Sequence, residues 1–162
     1  MLLFNRINFW WRNLKIEHQL DEECQLSCLE ALENLVDRGV VVIDAQGFIL
    51  DEYMVYCSFE GEPGVGDKFF KHVFDNQHVE GYCLIVSITP RPGQPDNYIE
   101  FPNNPSLAGF DRSDRKFVAV SNACPNRPPI CNATDSDWAD YEAELNNVGI
   151  VVEQLCPHYN IR

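Results

Sequence analysis

Asp21-Glu-Glu-Cys24-Gln-Leu-Ser-Cys28-Leu29-Glu-Ala-Leu32-Glu-Asn-Leu35-Val36-Asp-Arg38-Gly39-Val40-Val41-Val42-Ile43-Asp44 is the stretch that decides the fold class. Its apolar positions Cys24, Cys28, Leu29, Leu32, Leu35 and Val36 recur at steps of three and four, the period of a helix with one buried face. Gly39 stops that helix. Val40-Val41-Val42-Ile43 then forms a β-branched run too short for a buried helix and typical of a strand covered on both faces. A helix leading into a doubly buried strand is the unit from which helix-flanked parallel sheets are made.

The same alternation continues downstream. A helix is predicted over 49–57, and another after the turn Pro63-Gly64-Val65-Gly66, burying Phe69, Phe70, Val73 and Phe74. A strand is predicted over 83–88. Residues 89–105 hold five of the ten prolines, so a long irregular loop, running to about 110, follows. A helix over 114–123, a strand over 130–133, a helix over 136–147 and a strand over 149–152 complete the reading. The expected class is α/β: one domain over 1–162, a three-layer α/β/α sandwich with a central parallel sheet of about five strands.

Composition narrows the function classes. Of 162 residues, 45% are apolar and 23% charged, ordinary globular usage. With 25 acids against 12 bases the formal charge is −13, a field that repels nucleic-acid phosphates at long range. The seven cysteines are odd in number and contain no Cys-x-x-Cys, which speaks against a disulfide framework or zinc knuckle and for reduced core thiols in a cytoplasmic protein. No stretch approaches the roughly 18 apolar residues that span a bilayer, and Asn5 and Arg6 interrupt the apolar start.

In an open parallel sheet, ligands bind beyond the carboxyl ends of the strands, so acids at strand-to-helix junctions are the candidates for chemistry. Asp44 ends the valine run, and Glu52 lies one helical turn into the next element. Asp111 and Asp114 open the helix after the proline-rich loop. Asp135 and Asp137 follow the strand over 130–133. Carboxylates converging on one spot repel unless cations lie between them, and hard oxygen ligands select Mg²⁺ or Mn²⁺. Such ions support phosphodiester hydrolysis. Helix capping by Asp111, Ser113, Asp135 and Ser136 accounts for the same residues about equally well. Arg112, Arg115 and Lys116 flank Asp114 and could hold an RNA backbone or form an ordinary charged helix face.

Phe110-Asp-Arg-Ser-Asp-Arg-Lys-Phe-Val-Ala-Val120 and Ala133-Thr-Asp-Ser-Asp-Trp138 resemble the two C-terminal acidic motifs of PIN-domain nucleases. Glu52-Tyr53, with Pro63-Gly-Val-Gly-Asp67 and Glu100-Phe-Pro102, resembles one bacterial branch of that family. The resemblance covers roughly 24–157. It implies a PIN-like sandwich and an Mg²⁺- or Mn²⁺-dependent ribonuclease, often a toxin held by an antitoxin or a defence effector, with RNA as substrate and a homodimer left open. By motif position Glu52 would be the second acid, Asp114 the third and Asp135 the fourth, with Asp137 beside it; Asp44 and Asp111 are secondary candidates. The family's first strand ends in an aspartate. Here the stretch reads Leu3-Phe4-Asn5-Arg6-Ile7-Asn8-Phe9-Trp10, which sets Arg6 in that place, or Asn5 if the register shifts by one. A guanidinium there opposes a metal, so weak or absent activity is expected, to be raised by Arg6→Asp. The alternative is an impaired relative that binds nucleic acid or a protein partner.

Other features read more plainly. Leu3, Phe4, Ile7, Trp10, Trp11 and Leu14 would share one face of a helix, a stripe suited to a membrane surface, a partner groove or the domain's own core. Residues 1–16 carry three bases and no acid, whereas 17–62 carry twelve acids and one base, so the two could lie against each other. Gly64-Val65-Gly66 lacks the lysine of a phosphate loop and reads as a turn. Cys24 and Cys28 could share a zinc, but core packing is the better reading, and His158 beside Cys156-Pro157 reads as solvated.

Overall fold

The structure is a computed structural model that describes residues 3–4, 21–62 and 64–159. Helix α1 (Glu22–Arg38) forms where the period predicts it. Asp21 caps it, its carboxylate accepting the Cys24 N–H at 2.9 Å, while Glu22 and Glu23 set negative charge against the helix N-terminus. Its buried face is Cys24, Cys28, Leu32 and Leu35. Strand β2 (Val41–Asp44) follows with every residue buried, as a doubly covered strand should be. It runs parallel to β3 (Cys83–Val86), with Val41 opposite Cys83 and Asp44 opposite Val86.

Between these strands lie α2 (Phe48–Tyr56) and α3 (Val65–Asn76). Gly47, at φ 88°, makes the left-handed turn into α2 that a side chain would resist. Asp67 joins the two helices: its carboxylate accepts the Ser58 N–H at 2.6 Å and the Gly64 N–H at 2.8 Å. Phe69, Phe70 and Val73 are buried as expected, but Phe74 is 36% exposed, with its ring edge against Phe59.

The proline-rich region has little regular structure yet is tied at its base. Glu100 accepts from the Thr89 N–H at 2.6 Å and the Thr89 hydroxyl at 2.9 Å, and a short 3₁₀ turn (Pro105–Leu107) leads out of it. Helix α4 (Arg115–Ala123) follows, then β4 (Ile130–Asn132), α5 (Ser136–Asp140), α6 (Glu142–Asn147) and β5 (Val152–Gln154). The helix expected over 136–147 breaks in two at Tyr141. The last strand begins three residues later than expected. Gly149, at φ 81°, prolongs the turn, and the Ile150 N–H bonds the Leu145 carbonyl at 2.9 Å instead of joining a ladder.

Two expectations are corrected here. The strands do not form one central sheet of about five. They divide into the β2–β3 pair and a three-stranded ladder in which β4 lies between β1 (Leu3–Phe4) and β5, and among the described residues no ladder joins the two. The pairings within these two ladders are parallel, but strands of two to four residues contribute few ladder hydrogen bonds. Pro128 and Pro129 lack the N–H groups that would lengthen β4 backwards. A sandwich built on a single central sheet therefore does not describe this chain. Second, Cys24 and Cys156 are joined in a disulfide across 132 residues, with Cα atoms 5.1 Å apart, which spacing within the sequence could not reveal.

Leu3 and Phe4, part of the predicted helical stripe, lie in β1, with Leu3 opposite Ile130; the rest of that stripe and Arg6 lie outside the described residues. Among the described residues no helix is long and apolar enough to cross a membrane.

Candidate active site

The acidic positions are set by the ends of β2 and β4 and by the start of α4. Asp44 closes β2 and is 3% exposed. Its Oδ2 accepts the Phe48 N–H at 2.9 Å and its Oδ1 the Ile49 N–H at 2.8 Å, so both oxygens serve the first turn of α2, where the helix dipole favours a carboxylate. Asp44, a secondary ligand candidate, is thus committed to capping. One turn into the helix it caps, Glu52 points toward α4.

Lys116 reaches Glu52 from the first turn of α4. Its Nζ lies 2.5 Å from Glu52 Oε2, with the two side chains only 10% and 15% exposed, and the same ammonium donates to the Ser113 carbonyl. The approach to this turn is shaped by Asp111, whose carboxylate accepts the Ser113 N–H at 3.0 Å. Asp114 occupies the N-cap position of α4 and is fully buried, and its Oδ2 accepts the indole N–H of Trp138 at 3.1 Å. Trp138, itself fully buried, sets its ring edge-on to Phe110 at 5.0 Å.

Trp138 belongs to α5, and the start of that helix is where Asp135 stands. Asp135 caps it by accepting the Asp137 N–H at 3.1 Å, so the capping role expected as an alternative is present. The turn before it is held by Asn132, which sequence reasoning missed. Its Oδ1 accepts the Asp135 N–H at 3.3 Å, while its amide donates to the Asp135 carbonyl at 2.9 Å and to Gln154 at 2.8 Å. The only sequence signal was a buried-strand end followed by Thr-Asp.

Direct contacts therefore run from Glu52 through Lys116 to the start of α4, and from Asp114 through Trp138 to the helix that Asp135 caps. The carboxylates themselves are not gathered to a point. Among the described residues, the group of three acidic, histidine or cysteine side chains with ligand atoms within 4.8 Å of one another is Cys24, Cys28 and Cys156, and Glu52, Asp114, Asp135 and Asp137 form no such group.

The three bases expected to hold RNA part ways. Arg112 is exposed. Arg115 is 7% exposed and donates to the carbonyls of Ala108 at 2.8 Å and Phe110 at 3.2 Å, with its guanidinium 4.7 Å from the Phe101 ring centre. Burial, with Arg112 nearby, holds its pKa below the usual arginine value. Arg115 thus closes the exit of the proline-rich region rather than facing a phosphate, and Lys116 is spent on Glu52. Arg115→Lys keeps the charge but loses the planar fork and part of the carbonyl bonding. We expect a loss of about 1–3 kcal/mol in a urea melt, with faster proteolysis between 89 and 110.

No family model matches the chain, and no curated protein or solved structure matches it.

Proposed function

We propose that this chain is a metal-dependent ribonuclease in which Glu52, Asp114 and Asp135, with Asp137 alongside, serve phosphodiester hydrolysis, and in which a toxin or defence role under a protein inhibitor in the cytoplasm is the biological setting. The observation that carries it is the pairing of a nearly buried cation, the Lys116 ammonium, with Glu52, on the helix whose N-cap, Asp114, is a fully buried carboxylate. A recess that holds a positive charge against a carboxylate largely out of water is able to accept a cation there. The donor set is carboxylate oxygen, which suits Mg²⁺ or Mn²⁺. In the conformation described, one ion shared by all three acids does not fit, so any ion would take one or two carboxylates and keep its remaining waters. When bound, such an ion supplies an activated water and charge neutralisation at phosphate. The chain's own part is positional. Trp138 orients Asp114, Asn132 fixes the turn that presents Asp135, and the exposed Arg112 is the one base of the cluster left for the RNA backbone.

The same ion pair favours a second reading, that the protein is catalytically impaired and binds nucleic acid or a protein partner. Lys116 occupies Glu52, and the sequence offers Arg6 where the family's first acid stands. The two readings separate in one experiment: a mixed RNA pool incubated with Mn²⁺, with and without chelator, for the wild type and Lys116→Met. Weak cleavage by the wild type that chelator abolishes is expected. RNA left intact by the wild type but cut by Lys116→Met, with at least about tenfold tighter Mn²⁺ binding, would favour the impaired reading. RNA left intact by both, with no Mn²⁺ bound, would remove the nuclease assignment.

A further inference from the structure

Three sulfurs meet at the opposite end of α1 from β2. Cys24 and Cys28, one helical turn apart on the buried face, are 0% and 8% exposed, and Cys156, just past β5, is 0% exposed. All three Sγ atoms lie within 4.8 Å of one another. Cys24 and Cys156 form the disulfide, and Cys28 Sγ stands 3.8 Å from Cys156 Sγ. Ala133, Leu155 and Tyr159 pack around them.

The disulfide is not the one link between these two segments. The Ser27 hydroxyl donates to the Leu155 carbonyl at 2.9 Å, the Asp21 N–H to the Tyr159 hydroxyl at 2.7 Å, and His158 Nε2 lies 2.8 Å from Asp21 Oδ2. These contacts fasten the chain after β5 onto the first turns of α1 in addition to the S–S bond. On a tetrahedral zinc with bonds of about 2.3 Å, two thiolates lie about 3.8 Å apart, and the Cys28–Cys156 edge already has that span.

We propose that Cys24, Cys28 and Cys156 form a redox-gated thiolate site, closed as the disulfide and, once reduced, able to bind a thiophilic divalent ion, with Zn²⁺ the fitting case. In the gating step an external dithiol supplies two electrons and two protons. The Cys24–Cys156 S–S bond breaks, both sulfurs leave as thiols, and the dithiol becomes a disulfide. Zn²⁺ then displaces the three thiol protons to solvent and keeps a water in its fourth position. Soft sulfur donors separate this site from the carboxylates of the candidate active site, which suit hard ions. Burial pushes the Cys28 thiol up to about 11, so protons compete with the metal and affinity rises with pH.

The test uses the full chain reduced with a phosphine, freed of metal, and titrated with Zn²⁺ against a chromophoric chelator, beside the same protein left oxidised. Cys28→Ser, which keeps the disulfide pair, and Cys124→Ser, which removes a buried thiol outside the trio, complete the set. We expect one Zn²⁺ per reduced chain with release of about three protons, no binding by the oxidised chain, and Cys28→Ser weakened by more than about tenfold while Cys124→Ser is unchanged. A reduced wild type that binds no Zn²⁺ overturns the proposal by itself, whatever the variants do. Cys28→Ser binding as tightly as the wild type overturns it equally.

Discussion

Trp138→Ala is expected to lower the free energy of unfolding by about 3–5 kcal/mol, the range for emptying a buried aromatic site. The side chain is fully buried, packs edge-on against Phe110, and is a hydrogen-bond donor to the buried Asp114 carboxylate. Its removal leaves a cavity and takes a partner from a carboxylate inside the core, two costs that add. Because domains of this size are stable by only about 5–15 kcal/mol, the loss is a large fraction of the total stability. Trp138→Phe retains most of the ring and loses the N–H, so it should cost less, about 1–3 kcal/mol. Urea melts of the three proteins give the ordering. Equal midpoints for Trp138→Ala and the wild type would mean that the Phe110–Trp138–Asp114 packing is wrong.

Asp44→Asn is expected to cost about 2–4 kcal/mol although the side chain barely changes shape. Both carboxylate oxygens accept backbone N–H groups at the start of α2, at 2.9 and 2.8 Å, in a buried site. An asparagine offers one oxygen. Its NH₂ would face either the Phe48 or the Ile49 N–H, donor against donor, and the charge that complements the helix dipole is lost as well. Since Glu52 rides on the same helix, hydrogen exchange in α2 should speed up more than in α1. Uniform acceleration across both helices would argue against a local capping role.

Which parts were legible in the sequence follows from how local each determinant is. Helix α1 and strand β2 were readable because a period of three and four and then a β-branched run are properties of neighbouring residues. The assembly of the strands was not, because pairing between segments distant in sequence leaves no mark in either, and the expected central sheet proved to be two separate ladders. Strand β5 was misplaced because Val151 and Val152 look alike in sequence, while the turn at Gly149 decides which of them enters the ladder. The acidic motifs were found by residue type and junction position, but the direction of a side chain is a tertiary matter. Arg115 and Lys116 turn inward, Arg112 outward, and nothing in Arg112-Ser-Asp-Arg-Lys116 separates them. Asp44 was considered as a ligand, when its distance of four residues from the start of α2 already allowed a cap. The thiol cluster joins two parts of one helix to the far end of the chain, so the most that sequence could show was the spacing of Cys24 and Cys28.

The most direct test of the ribonuclease assignment is the rate at which a mixed RNA pool is cut in Mn²⁺ by the wild type and by Asp114→Asn, with folding checked by circular dichroism. Asp114 is the carboxylate on which the reading turns: buried, oriented by Trp138, and at the start of the helix that carries Lys116 to Glu52. The amide preserves its shape and removes its charge, so the account predicts weak Mn²⁺-dependent cleavage by the wild type and a loss of at least about a hundredfold in the variant, the scale of removing one charge-stabilising group from such a centre. Folded Asp114→Asn that cuts RNA as fast as the wild type would contradict it.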